Sequence, residues 1–185
     1  PRRFKTDEGE GTLLEKISVN QRDYCLPDRP VVVICADGCA GEYLALGFAH
    51  GELPRLAKLA ADGYCGQARG ALPSFTNVNN CAMVTGTPPS QTGIGGNYII
   101  DPETGEEVMT NSSRFLRNDT ILAAASAAGR KVAMVTAKDK LRELLSKGMK
   151  GIAVSAEKAD KVSLEVNGIA DIESLAGPKP SIYSG

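Results

Sequence analysis

The apolar positions of this chain fall into short runs of two kinds. VVVICA, residues 31–36, is continuous and β-branched, the pattern of a strand buried on both faces of a parallel sheet. KVAMVTA (131–137) repeats that pattern, GIAVSAE (151–157) is a third example, and YCGQARGAL (64–72) is a weaker one. Between these runs, apolar residues recur at helical spacing. Leu53, Leu56, Leu59 and Ala60 share one face of a helix predicted over 53–62, which Gly63 stops. Helices are also expected over 40–46, from about Asn77 to Val84, over 140–148, and over the alanine-rich stretch 119–128, capped by Asp119 or Thr120. NYIID (97–101) and EEVMT (106–110) flank Pro102 and Gly105 and predict a hairpin, and GTPPSQTGIGGN (86–97) predicts a loop.

Strands alternating with helices predict an α/β fold, a three-layer sandwich around a largely parallel central sheet. Residues 1–30 are polar, end in LPDRP, and are read as a lead-in. The segment from 158 to 185 is polar and weakly patterned.

Composition narrows the function classes. The chain is 42% hydrophobic and 23% charged, so a packed core is feasible, and its net charge of −1 is spread along the sequence. A nucleic-acid binder needs a basic face, so nucleic acid is not an expected partner. No window approaches 18 consecutive apolar residues, and PRRFK at the start precedes no apolar stretch, so neither a membrane helix nor a secretory signal is read here. The five cysteines, Cys25, Cys35, Cys39, Cys65 and Cys81, are odd in number and irregular in spacing, which favours reduced thiols and a cytoplasmic setting over a disulfide framework. His50 is the one histidine and reads as a surface or cap residue.

In open parallel sheets, ligands bind beyond the carboxyl ends of the strands. Asp37 follows VVVICA, Thr76 follows the weaker strand by way of Pro73, and Lys138 and Lys140 follow KVAMVTA. Asp37 has two readings: a turn or cap residue, or a carboxylate ligand on a strand end. For Thr76 the alternatives are a helix cap, with Ser74 as the other candidate, and a hydroxyl nucleophile at a helix N-terminus that favours anions. A threonine hydroxyl needs a base or a metal to lose its proton, and no histidine is near in sequence, so a metal is the more economical activator. Lys138 and Lys140 are either solvated charges or cations at a helix start that answer a bound anion. Asn97 closes the glycine-rich loop, which matches neither nucleotide-binding glycine fingerprint, and its amide could donate to an anionic oxygen.

The segments ADG (36–38) and PSFTNVNNCAMVTGTPPSQTGIGGNYIID (73–101) resemble the alkaline-phosphatase superfamily. The branch they look most like holds the nucleotide pyrophosphatase/phosphodiesterases and phosphonoacetate hydrolase. There a nucleophilic threonine opens a helix, a T-G-x-x-P-x-x-x-G-I block follows, and an asparagine comes later. Thr76, Thr85, Gly86, Pro89, Gly93, Ile94 and Asn97 fit that pattern. The phosphodiesterases usually carry a histidine where this chain has Gln91 or Thr92, and T-F-P-N where it has T-N-V-N. VTAKDK (135–140) is instead similar to the phosphonoacetate-cleaving members, whose paired lysines bind a substrate carboxylate.

The resemblance implies an alkaline-phosphatase-like fold, with 31–185 as the N-terminal part of its catalytic domain. It implies a dizinc enzyme cleaving the carbon–phosphorus bond of phosphonoacetate to acetate and phosphate, with a phosphothreonine intermediate. Asp37 and Thr76 would ligate one zinc, Thr76 would attack phosphorus, Asn97 would hold a phosphonate oxygen, and Lys138 and Lys140 would bind the carboxylate. The remaining zinc ligands are expected beyond residue 185, since His50 matches none of them. A homodimer is kept as a candidate assembly. Two alternatives stand beside this reading: a phosphodiesterase or phosphomonoesterase of the same superfamily, and a non-catalytic anion-binding α/β module.

Overall fold

The computed structural model describes residues 15–180. A hairpin of β1 (Lys16–Val19) and β2 (Arg22–Cys25) is followed by helices α1 (Gly41–Ala49), α2 (Pro54–Asp62), α3 (Thr76–Thr85) and α4 (Pro89–Thr92). A second hairpin, β3 (Tyr98–Ile100) and β4 (Glu107–Met109), leads to α5 (Ile121–Ala127). Then come β5 (Ala133–Thr136), α6 (Asp139–Leu145), β6 (Ile152–Ser155), α7 (Leu164–Asn167) and α8 (Glu173–Ala176), with 3₁₀ turns at Ser113–Phe115 and Ala156–Lys161. No helix among the described residues is long and apolar enough to cross a membrane.

The β5–α6–β6 unit sits at the centre of the packing. Its strands pair in parallel, Ala133 opposite Ile152 and Thr136 opposite Ser155, and α6 makes the crossover. Gly151 enters β6 at φ 149°, and a Cβ there would lie 2.2 Å from the Val132 carbonyl oxygen, so the close strand entry admits glycine alone. The main core joins Met134 and Ala153 of this pair to Leu144 and Leu145 of α6, Val78 and Cys81 of α3, and Ile94 and Leu116 from the loops. The thiol of Cys81 is pushed up to about 12 by burial, so it behaves as a small apolar group. All five cysteines are free.

Several sequence expectations change here. Part of the lead-in is ordered as the β1–β2 hairpin, whose turn residues Asn20 and Gln21 have φ of 50° and 63°, the left-handed pair that a two-residue hairpin loop uses. Ile17, Val19 and Leu26 are buried from it against Ile121, Ala124 and Ala125 of α5 and the adjoining Ala128. Residues 1–14 of the lead-in lie outside the described residues. The loop over 86–97 contains α4, started by Pro89 at its first helical position, and the tail from 158 contains α7 and α8.

The largest difference is that neither 31–36 nor 64–72 carries a strand ladder. Val31, Val32, Val33 and Ile34 are 65–86% exposed, and α1 and α2 bury no residue. A strand of this type is stable only between hydrogen-bonded neighbours and beneath helices. Burial would contribute about 1.5–3 kcal/mol for each such side chain. Nothing among the described residues supplies that cover. The sheets among the described residues are three separate pairs, of which β5–β6 is parallel.

Candidate active site

Helix α3 begins without a side-chain cap. Its N-cap position is Phe75, in an extended conformation and with no side-chain acceptor for the N–H groups of the first turn. The expectation that Ser74 or Thr76 caps this helix is therefore corrected: Thr76 is its first residue, and its Oγ1 donates instead to Asp37 Oδ2 at 3.1 Å. Asp37 occupies the turn that follows VVVICA. That turn closes by a 3.3 Å bond from Cys39 N to the Ala36 carbonyl, with Gly38 at φ 73°. Asp37 is exposed and Thr76 half-buried, so the pair opens to solvent.

The three asparagines that follow each have a distinct task. Asn77 is 1% exposed and directs its Nδ2 to the carbonyl and Oγ1 of Thr110, at 3.1 and 3.0 Å. Asn79 Oδ1 accepts from Ala71 N at 2.7 Å, which fixes the approach to Pro73. Asn80 Nδ2 bonds back to the Thr76 carbonyl at 2.9 Å. The backbone N–H of Asn77 donates to Asn97 Oδ1 at 3.2 Å. With its carbonyl oxygen so engaged, Asn97 keeps its amide N–H groups as donors beside the start of α3, where the helix dipole also favours an anion.

Thr110 joins these parts, and sequence reading missed it. It is fully buried, its Oγ1 donates to the Gly96 carbonyl at 2.7 Å, and its N–H donates to the Asn97 carbonyl at 2.9 Å. It thus holds the Asn97 loop and the Asn77 side chain in one place. No local signal could have marked it, since Thr136 likewise stands at a strand end.

Lys138 is the N-cap residue of α6 and Lys140 its second residue. Both line a cleft with Asn111, Glu157 and Lys158. Asn111 adjoins Thr110 in the chain, and its Oδ1 is buried without a hydrogen-bond partner. The lysine cleft and the Thr76 site are thus served by adjacent residues, Asn111 lining the one and Thr110 supporting the other. The first free N–H of α6, that of Asp139, donates to Glu157 Oε2 at 2.7 Å. Part of the anion that the cations at this helix start called for is thus the protein's own. His50 is the exposed C-cap residue of α1, as the sequence suggested.

The donor set bears on a metal. A carboxylate and a hydroxyl oxygen converge at 3.1 Å, a fit for part of the oxygen coordination of a divalent cation. No group of three or more His, Cys, Asp or Glu side chains among the described residues is placed to complete it.

The site thus sets a threonine hydroxyl at a helix start against an aspartate carboxylate, within a chain that carries a parallel β–α–β unit. The chain belongs to the type I phosphodiesterase / nucleotide pyrophosphatase family, whose model matches residues 31–150. Two solved structures narrow the likeness. Phosphonoacetate hydrolase from Sinorhizobium meliloti 1021 in complex with phosphonoacetate is 42% identical, with a TM-score of 0.86, over 92% of this chain and 43% of that one. The same enzyme in complex with phosphonoformate matches at 42% identity with a TM-score of 0.87. The fold is accordingly the alkaline-phosphatase-like α/β fold expected from the sequence, and the chain spans less than half the length of the structures it matches.

Proposed function

We propose that the intact protein hydrolyses phosphonoacetate to acetate and phosphate, with Thr76 as the nucleophile. The 3.1 Å contact between Thr76 Oγ1 and Asp37 Oδ2 carries this reading, because it withdraws the hydroxyl from helix capping and orients it. The match to a phosphonoacetate-bound relative supports the substrate. Asp37 and Thr76 would hold one zinc, with the other ligands outside the described residues. Such an ion would lower the pKa of the hydroxyl and offset phosphoryl charge.

The chain's own residues supply the rest. Asp37 Oδ2 holds the hydroxyl proton, which leaves Oγ1 lone pairs for phosphorus. As the Oγ1–P bond forms, the P–C bond breaks, and its electron pair leaves with the CH₂–COO⁻ group. That charge spreads onto the carboxylate, where Lys138 and Lys140 stabilise it, and the proton that Oγ1 gives up to Asp37, passed on through water, reaches the leaving carbon and completes acetate. The Asn97 amide steadies a phosphoryl oxygen. Water then cleaves the Thr76–phosphate bond, which releases phosphate and restores the hydroxyl.

A phosphodiesterase or phosphomonoesterase activity is the second reading, favoured by the family model. The lysines separate the two, because an ester substrate presents no carboxylate. In the full-length, zinc-loaded protein, Lys138→Ala and Lys140→Ala should lower kcat/KM for phosphonoacetate about 10- to 100-fold more than for an aryl phosphate ester. Equal losses on both substrates would remove the carboxylate role and leave the ester reading.

A further inference from the structure

Asp139 lies in sequence between the two lysines, yet its carboxylate serves another purpose. Its Oδ1 accepts from Arg142 Nε at 2.7 Å and from Ser155 Oγ at 3.0 Å, and its Oδ2 accepts from Lys158 Nζ at 2.7 Å. The Asp139 and Arg142 side chains are each 14% exposed, so this is a partly dehydrated cluster rather than a loose surface pair. It joins the start of α6 to the end of β6 and to the 3₁₀ turn beyond it.

The connection that carries Lys138 is pinned at every step. Only Ala137 and Lys138 separate β5 from α6. The Glu157 N–H donates to the Ala137 carbonyl at 3.1 Å, Thr136 Oγ1 donates to the Lys138 carbonyl at 2.8 Å, and Asp139 N donates to Glu157 Oε2 at 2.7 Å. Lysine side chains are long, and each carries about 2 kcal/mol of rotamer entropy. Two of them form a carboxylate site only if their backbone positions do not also move.

We propose that Asp139 is a positioning residue: through Arg142, Ser155 and Lys158 it holds Lys138 and Lys140 as a preformed site for a substrate carboxylate, and so sets specificity. The inference rests on the proposed carboxylate role of the lysines. The guanidinium of Arg142 holds the Asp139 carboxyl well below the usual carboxylate range, so the cluster stays charged under working conditions.

The test uses the full-length, zinc-loaded protein with phosphonoacetate and an aryl phosphate monoester as paired substrates. Asp139→Asn should raise KM for phosphonoacetate about tenfold while changing kcat/KM for the ester by less than about twofold. A general structural role would lower both substrates alike, and that result, or no change on either, overturns the proposal. Should Asp139→Asn fail to fold, Ser155→Ala removes one donor and leaves both ion pairs. It should shift phosphonoacetate KM in the same direction by about twofold to threefold, and an unchanged ratio of the two substrates overturns the proposal. Lys138→Ala and Lys140→Ala run beside these variants. If the lysine variants are selective and the Asp139 and Ser155 variants are not, positioning fails and the carboxylate reading stands. If the lysine variants are not selective, both fail together.

Discussion

Thr76 and Asp37, 39 positions apart, meet with Oγ1 and Oδ2 at 3.1 Å. The expected consequence is that removing the hydroxyl ends the proposed hydrolysis while the fold survives. Thr76→Ala in the full-length protein should lower turnover by at least about a thousandfold, and Thr76→Ser should retain measurable activity. Steady-state rates with thermal unfolding as a control check this. A near wild-type rate for Thr76→Ala would overturn the nucleophile assignment.

Thr110→Val tests the junction behind the site. Valine matches threonine in shape but leaves the Gly96 carbonyl and the Asn77 amide each short of the Thr110 hydroxyl. The change should cost about 1–3 kcal/mol of stability, seen as a lower urea midpoint, because the Asn77 amide is buried and the Gly96 carbonyl partly so. Activity should fall further than stability predicts, since Asn77 and Asn97 meet at the start of α3.

Asn20 clamps the N-terminal hairpin to the far end of the same helix. Its Nδ2 donates to the carbonyls of Thr85 and Asp119, both at 2.8 Å, and its Oδ1 accepts from Asp119 N at 3.3 Å. Asn20→Gly keeps the left-handed turn and removes the clamp, for an expected loss of about 1 kcal/mol. Asn20→Ala should lose about 1–2 kcal/mol more, because alanine also pays for positive φ. Chemical denaturation of the two variants separates the terms, and equal losses would mean the turn carries no strain.

Asp139 gives a pH dependence with a definite sign. Its carboxyl is depressed in the folded state, chiefly by Arg142, so its charged form stabilises the fold. That stability is fully present above the unfolded carboxyl value of about 3.9 and is lost as pH falls through the lower folded value. Asp139→Asn should therefore be less stable than wild type at neutral pH, with the gap closing below about pH 4. Urea midpoints across that range provide the measurement. A gap that stayed constant would place the stabilisation elsewhere.

Local patterns were legible where short-range forces suffice. The spacing of Leu53, Leu56 and Leu59 foretold α2, the β-branched runs around α6 foretold β5 and β6, and Thr120 caps α5 by accepting from Ala123 N at 3.0 Å. The β1–β2 hairpin was harder to see, because its buried face is only Ile17 and Val19 set among polar neighbours, and Leu26 beyond it. Asn20 at the turn was the available signal. VVVICA reads as a strand from composition, but a ladder needs partners that no property of the run itself provides.

What the sequence determined by itself was the inventory: an apolar run ending in Asp37, a helix opening at Thr76, an asparagine after the glycine loop, and two lysines after a strand. Those features follow from side-chain size, branching and helical or strand period, which act over a few residues. Tertiary structure decided how the groups are used. It sent the Thr76 hydroxyl to Asp37 rather than to its own helix, made Thr110 the joint between the Asn97 loop and α3, and turned Asp139 away to Arg142, Ser155 and Lys158. Each of those choices depends on which donors and acceptors come within about 3 Å, and that is settled only when distant segments close on one another.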